Sequence, residues 1–301
     1  MPFTTQESID DAVERFVAKS RYTLQERKGV MYDSLQHEDL PMNEGPNVTV
    51  PKYNQLVVDP LTDGVDMVQA QEILDSPTTI TPSEWGGKVI LSKMMMMTVR
   101  DSFFEVATRI LRNAYDRQVN IELSDDIDNF SVTLGSAGTA FNIGHLMAGH
   151  GSIKYNAPAN STAGRGGEPA PDPTYCVATP AQLHSLRKTL TGGIGAAGAT
   201  QITPETERAK KLEGDFTIDG IPGLTVRSNL DIEKDTSDDA KLGIFSKMAI
   251  IIAQLGSVDV DKEYDSSLRG WELSIVGRWG RSEYDDNFGR EGTFDSALPT
   301  S

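Results

Sequence analysis

The sequence predicts an α+β fold in which helices and strands do not alternate. Three observations predict it. One long amphipathic helix occupies residues 92–118. Strand-like runs lie on both sides of it. Several segments lack the apolar content to fold alone. The 301 residues suffice for two ordinary domains or one large irregular one. Hydrophobic residues make up 38% of the chain, and its 27 glycines raise the apolar share to roughly 47%, the level of globular proteins. A core can therefore be built, although only 7% of the residues are aromatic.

Residues 1–47 read as an extended or loosely helical arm. "SIDDAVERFVAKS" offers Ser8 as a cap and places Ile9, Val13, Phe16 and Val17 on one face, a helix of about three turns. "HEDLPMNEGPNVTV" has no period and buries little, so it is expected to lie along something else. Residues 48–91 read as β. "VTVPKYNQLVVDP" and "VDMVQAQEIL" are rich in Val and Ile, "DPLTDG" between them carries turn chemistry, and "TTITPSEWGGKVILS" closes the segment. With few large core residues, this is a long projecting hairpin. A lone hairpin is marginal in water, so it needs a partner surface on another copy.

The helix over 92–118 repeats Met96, Val99, Phe103, Val106, Ala107, Ile110 and Ala114 at spacings of three and four. Arg100, Asp101, Arg109, Arg112 and Asp116 take the other side. At 1.5 Å per residue it is about 40 Å long. Its methionine run is read as core packing rather than a cofactor groove. Residues 119–170 look irregular, and "SIKYNAPANSTAGRGGEPAPDPTY" is a low-complexity loop that marks a subdomain boundary. "TPAQLHSLRKTL" is a helix with Thr179 as N-cap and Pro180 at its first position. "TPETERAKKLEGD" repeats this start at Thr203 and Pro204. "FTIDGIPGLTVRSNL" reads as strand, turn and strand, and "LGIFSKMAIIIAQLG" as a buried strand or helix. Near the C-terminus Leu273, Ile275, Gly277 and Trp279 alternate with Glu272, Ser274 and Arg278, the pattern of a half-buried strand.

Several function classes are disfavoured. The net charge of −16 argues against tight, generic DNA binding, which needs a basic surface. The single cysteine, Cys176, cannot form an intramolecular disulfide and reads as a small apolar residue. The longest apolar run, Met248 to Ala253, is too short to span a membrane, and the acidic N-terminus does not resemble a signal peptide. A soluble protein made in the cytoplasm is expected.

Gly193-Ile194-Gly195-Ala196-Ala197-Gly198 matches G-x-G-x-x-G literally. The dinucleotide fingerprint works only where a strand ends at the first glycine and a helix opens at the third. Here a capped helix precedes Gly193 and "ATQITP" follows Gly198. Asp215, at a tolerable distance for a ribose contact, follows a helix rather than a strand. The stretch is read as a glycine loop at the tip of a subdomain. His145 and His150 would diverge by about 140° on a helix and make poor co-ligands. The carboxylates of "ELSDDID" (122–128) lack the order and glycine of a calcium loop and read as a solvated turn. No catalytic, cofactor-binding or metal-ligating residue is nominated.

Three stretches carry a resemblance to a known family. "VTVPKYNQLVVDPLTDGVDMVQAQEILDSPTTITPSEWGGKVILSKMMMMTVRDSFFEVATRIL" resembles the extended loop and spine helix of the major capsid protein of tailed bacteriophages, the Hong Kong 97-type fold. "YCVATPAQLHSLRKTL" resembles its axial-domain strand and the Pro-led helix after it. "IPGLTVRSNL", "GIFSKMAIIIAQ" and "GWELSIVGRWGRSEYDDNFG" resemble the close of the axial domain and the returning peripheral strands. The resemblance implies an N-terminal arm (1–47), an extended β-hairpin loop (48–91), a peripheral domain with the spine helix (92–150), an axial domain (151–256) and peripheral return strands (257–301).

It also implies a non-enzymatic structural protein that self-assembles into hexamers and pentamers of an icosahedral shell around double-stranded DNA. The DNA would be contacted non-specifically, with separate scaffolding, portal and decoration proteins as further partners and no membrane. The implied location is the virion, assembled in the host cytoplasm. The hairpin would lie across one neighbour and the arm would reach another. The glycine loop at Gly192–Gly198 would sit near the centre of a capsomer or on its surface. An encapsulin-like nanocompartment shell, a tail or decoration protein, or a nucleotide-binding enzyme using Gly193–Gly198 are the competing readings. Relatives with a fused scaffold carry about a hundred residues ahead of the hairpin; here 47 precede it. Some relatives crosslink Lys to Asn, and Lys52 and Lys88 flank the hairpin, but no Asn partner or catalytic Glu is marked. Denaturing gels of assembled protein should therefore show one unchanged monomer band at 32.8 kDa.

Overall fold

The computed structural model describes residues 29–40, 47–53, 56, 58, 63, 72–98, 103–155, 169–190, 216–217 and 223–298. The elements run α1 (Val30–Ser34), β1 (Gln36–Leu40), β2 (Val48–Val50), β3 (Thr78–Ile80), β4 (Ser83–Ser92), α2 (Lys93–Thr98) and α3 (Phe103–Asp125). Then come β5 (Thr133–Gly135), α4 (Ile143–Tyr155), β6 (Thr174–Ala178), α5 (Pro180–Leu190), β7 (Phe216–Thr217) and β8 (Leu224–Ser228). The chain closes with β9 (Asp239–Ser246), β10 (Ile250–Asp265), β11 (Gly270–Glu283) and β12 (Gly289–Asp295). The N-terminal helix expected at 8–20, the outer part of the hairpin and the low-complexity loop from 156 to 168 lie outside the described residues. So do the glycine loop and the second Thr-Pro start.

Two main sheets divide the strands. A four-stranded sheet has the order β1-β10-β11-β4, and a six-stranded sheet has β5-β12-β9-β6-β8-β7. The apolar run read as strand or helix resolves into two strands, and they part company. β9 enters the six-stranded sheet and β10 the four-stranded one, with the turn at residues 247–249 between them. β11 then returns the chain to β12, which pairs antiparallel with β9. The segment 257–301 therefore contributes to both sheets. The alternation read at the C-terminus is present, since Leu273, Ile275 and Trp279 are all buried.

Residues 29–40, expected to belong to the arm, are built into the body. Met31 and Leu35 are fully buried in the main core, and β1 pairs in parallel with β10. Likewise β4 belongs to the four-stranded sheet, where Ser83–Ser92 runs antiparallel to β11. The hairpin proper is carried by β2 and β3, with an isolated bridge from Tyr53 to Asp75 beyond them.

The long helix runs seven residues past its expected end at 118, to Asp125. Its buried stripe is Ala107, Leu111, Val119 and Leu123, with Tyr115 partly buried among them, a row at i+4. Ile110, expected on that face, is 48% exposed. The row is set by the sheet beneath it. A Cβ at Gly277 of β11 would lie 2.1 Å from the Tyr115 hydroxyl, so only glycine admits the ring there. α4 falls where the sequence looked irregular. Asn142 caps it by accepting the backbone N–H of His145 (3.0 Å), and Leu146 and Ile153 are fully buried. A Cβ on Gly149 would meet Ile244 at 2.5 Å, so glycine sits on this helix for close packing on β9 rather than for a turn.

The C-terminal end of α3 meets the root of the chain and the exit of β8 through buried polar groups. Asn120 Oδ1 accepts the backbone N–H of Met31 (3.0 Å). Its Nδ2 donates to Asn229 Oδ1 and to Asp231 Oδ2, both at 2.9 Å. Asn229 Nδ2 donates to Ser124 Oγ (2.7 Å), which donates to the Asn120 carbonyl (2.7 Å). Asn120→Ala leaves the buried Met31 N–H unpaired and removes the two bonds donated to Asn229 and Asp231, and should cost on the order of 3 kcal/mol. Asn120→Asp should cost more, because it loses both donors and sets a charge against Asp231. Denaturant unfolding of the two variants checks the order.

Candidate assembly surfaces

The residues singled out for chemistry are placed as structural groups. Cys176 sits fully buried in β6, where burial pushes its thiol far above the ordinary value. It is no nucleophile. His145 and His150 lie on α4. The His145 ring packs on Phe294 at 4.7 Å. Burial lowers the His150 imidazole below its ordinary value, Lys154 adding to the effect and Asp172 opposing it. No group of three or more His, Cys, Asp or Glu among the described residues is placed to hold a metal ion. The carboxylates at 122–128 are clamped rather than simply solvated. Arg281 of β11 pairs with Glu122 (2.8 Å) and Asp126 (2.6 Å), and Lys241 pairs with Asp128. Burial raises Asp126 to about 6, with Arg281 acting against it. No helix among the described residues is long and apolar enough to cross a membrane.

The glycine stretch at Gly193–Gly198 lies outside the described residues. What precedes it is described: α5 is a helix to Leu190, not the strand a dinucleotide fingerprint needs. Thr179 caps α5 as expected, and Gln182 completes the cap. Thr179 N donates to Gln182 Oε1 (3.1 Å) and Gln182 N donates to Thr179 Oγ1 (3.3 Å). Gln182 Nε2 also donates to the carbonyls of Ala240 and Phe294, which fastens this helix to β9 and β12. α5 is therefore held firmly against the six-stranded sheet.

The hairpin is held at its root, and beyond it large apolar side chains among the described residues are exposed. Val48 and Val50 pack with Tyr284 against Ile80, Ile251 and Ala253. The Tyr284 hydroxyl donates to the Pro51 carbonyl (3.0 Å), and Lys52 pairs with Asp285 (2.7 Å). Lys88 pairs with Glu272 across β4 and β11. Further out, Tyr53 (62% exposed), Val58 (93%) and Ile73 (65%) face solvent in the single chain, with Leu56 and Leu74 beside them. Five large apolar side chains on one projection are more than scattered surface residues.

A second surface opens where the arm joins. A cleft of about 430 Å³ begins at Gly29 and runs between α3 and β10, with Tyr32, Tyr115, Val258 and Trp279 on its walls and Arg112 and Asp116 at its edge. Burial pushes the Tyr115 hydroxyl up to about 12, with Asp116 and Tyr32 adding to it, so the group stays neutral.

No protein-family model matches the chain, and no curated protein does. Solved structures do. The capsid of Helicobacter pylori bacteriophage KHP30 matches with a TM-score of 0.67 at 10% identity, covering 98% of each chain. The capsid asymmetric unit of cyanophage Pam1 matches with a TM-score of 0.67 at 9% identity, covering 92% of this chain and 95% of its own. The capsid of Ralstonia phage GP4 gives 0.64 at 13% identity, over 94% and 95%. The chain has the phage capsid fold. The hairpin-to-helix stretch that carried the Hong Kong 97-type resemblance lies within that likeness, which runs over nearly the whole chain.

The structure also shows what the sequence concealed: the Asn120 junction and the fastening of the hairpin to Tyr284 and Asp285. Thr179-x-x-Gln182 was a readable signal. The other contacts join residues more than a hundred positions apart and leave no local pattern. For Cys176 the expected outcome is no reaction with a thiol reagent in the native protein and one full equivalent after unfolding. Absorbance of the released chromophore measures both.

Proposed function

We propose that the chain is a major capsid (head) protein whose copies assemble into hexamers and pentamers of an icosahedral shell around double-stranded DNA. The observation that carries this reading is the hairpin. Its root is anchored by packing, a hydrogen bond and an ion pair, while its outer apolar side chains face water. Such a projection gains stability by lying on another copy. The likeness to phage capsid structures over nearly the full chain supports the same reading. On it, the part of 1–47 ahead of the body-bound segment 29–40 acts as the arm, and the part of 48–91 ahead of β4 acts as the extended loop. Residues 92–150 and 257–301 are assigned to the peripheral domain and 151–256 to the axial domain; β5 and β12 nevertheless share the six-stranded sheet with β6 to β9, and β10 begins in the four-stranded one. The glycine loop at 192–198 serves contacts between neighbouring subunits.

The role is structural rather than enzymatic. Packaged DNA is contacted without sequence preference, and a net charge of −16 favours a wall that holds it loosely. On this reading a scaffold is either a separate protein or absent, portal and decoration proteins are candidate partners, and the location is the virion.

Negative-stain microscopy with light scattering tests the proposal. Closed shells, or rings of five and six, are expected. A chain that stays monomeric at every concentration, with a scaffold supplied, and binds NAD overturns it. Replacing residues 54–71 by a short Gly-Ser turn should leave thermal unfolding nearly unchanged and abolish shell formation, because the contacts of the root at Val48, Val50, Pro51 and Lys52 all remain.

A further inference from the structure

The outer half of β10 has an open side. Over Ile251–Leu255 the strand lies between β1 and β11. After the irregularity that follows Leu255 it pairs with β11 again, from Asp259 to Asp265, and no strand among the described residues covers its other side there. That side offers a row of backbone N–H and C=O groups to a further strand. Its two faces differ. Val260, Lys262 and Tyr264 share the α3 face: Lys262 lies over the rings of Phe104 (3.5 Å) and Trp271 (4.6 Å), and Tyr264 meets Trp271 edge-on. Val260 and Tyr264 stay about 40% exposed. Asp259, Asp261, Glu263 and Asp265 alternate with them and take the opposite face. Beside these carboxylates Lys88 is already paired with Glu272. Two copies of this edge pair poorly, since antiparallel strands that keep their α3 faces together set carboxylate against carboxylate.

The start of the chain is placed to cover this side. The described residues begin at Gly29, which lines one cleft with Ser257 and Val258, where the open side begins. Tyr32, three residues on, donates to Gln254 of β10 (2.7 Å). The chain ahead of Gly29 therefore enters the body beside β10. Its last stretch reads Arg21-Tyr22-Thr23-Leu24-Gln25-Glu26-Arg27-Lys28. With a period of two, Arg21, Thr23, Gln25 and Arg27 fall on one face, and Tyr22 and Leu24 on the other. A strand from Arg21 to Arg27, antiparallel to β10, matches Asp265 to Asp259 in length and ends where Gly29 enters. Directly opposed residues of antiparallel strands share a face. One placement thus sets Arg21 and Arg27 among the carboxylates and Tyr22 and Leu24 beside Val260 and Tyr264. A slip of one residue fails on both faces.

We propose that residues 21–27 add as a strand to the open side of β10 in their own chain. Backbone hydrogen bonds hold the strand, the arginines fix which face it turns to the carboxylates, and Tyr22 and Leu24 cover the exposed apolar side chains of the other face. The arm invoked under Proposed function then shortens to the residues ahead of Arg21. The test reads single chains, so the proposal stands or falls apart from shell formation.

The experiment measures dipolar broadening between spin labels at Thr23→Cys and Glu263→Cys in the full chain. Cys176 is buried and takes no label. Adjacent strands lie about 5 Å apart, so the spectrum should be strongly broadened. An excess of unlabelled chain should leave the broadening unchanged. Asp259→Lys with Asp261→Lys, both exposed positions, should abolish it, and adding Arg21→Glu with Arg27→Glu should restore it. No broadening in the parent overturns the proposal. Its loss on dilution does so too, because the segment then comes from a second copy. Broadening that survives in the lysine variant, or fails to return when both sets of charges are exchanged, also overturns it. Should the lysine variant not fold, Arg21→Glu with Arg27→Glu alone must produce the same loss.

Discussion

The structure depends on one buried amide. Asn120 needs an acceptor role and two donor roles filled, and three distant parts of the chain fill them: Met31, Asn229 and Asp231. No other side chain of that size offers one acceptor and two donors from a single planar group. A hydrophobic residue there would leave the Met31 N–H without a partner in the core. A carboxylate would face Asp231. The contact fixes where α3 ends relative to both sheets. The helix lies against the four-stranded sheet along its Ala107–Leu111–Tyr115 row and reaches the six-stranded sheet only at this end.

From that junction the remaining architecture follows as two crossings. The chain passes from one sheet to the other between β9 and β10, and returns between β11 and β12. Both crossings are tied together by backbone. The Tyr284 N–H donates to the Ala249 carbonyl (2.8 Å), and the Gln36 N–H donates to the Lys247 carbonyl (2.9 Å). The arm root, the hairpin root and both crossings therefore meet in one seam. Movement of any projecting element has to be absorbed there. The cores of the sheets on either side are close-packed and resist continuous deformation.

Much of this was legible in the sequence, and the parts that were not share a cause. The hairpin, the capped helix at Pro180 and the inward row of Leu273, Ile275 and Trp279 follow from local chemistry, which the chain states directly. α4 was hidden because Gly144, Gly149 and Gly151 look like turn residues, whereas Gly149 is small so that the helix can approach Ile244. The buried face of α3 was misplaced because spacings of three and four fit more than one stripe, and the choice is made by the shape of the sheet beneath. Carboxylates at 122–128 looked solvated because their partner, Arg281, lies more than 150 residues away. Long-range polar pairing has no signature in a single sequence. The exposed apolar projection was legible for the opposite reason. A segment that cannot bury itself is visible as a shortage of core residues.

Charge and exposed apolar surface oppose one another in this chain. A net charge of −16 keeps copies apart at long range, with a reach of about 10 Å at moderate salt. The apolar side chains of the hairpin act only on contact. Repulsion at a distance with attraction at short range disfavours random clumping and favours a contact that is geometrically complete, since an incomplete one gains too little burial to offset the charge. A hairpin anchored at its root supplies that geometry more reproducibly than a free segment, because less conformational freedom is lost when it docks. The grip of Tyr284 and Asp285 on Pro51 and Lys52 fixes that geometry at the base of the hairpin rather than at its tip.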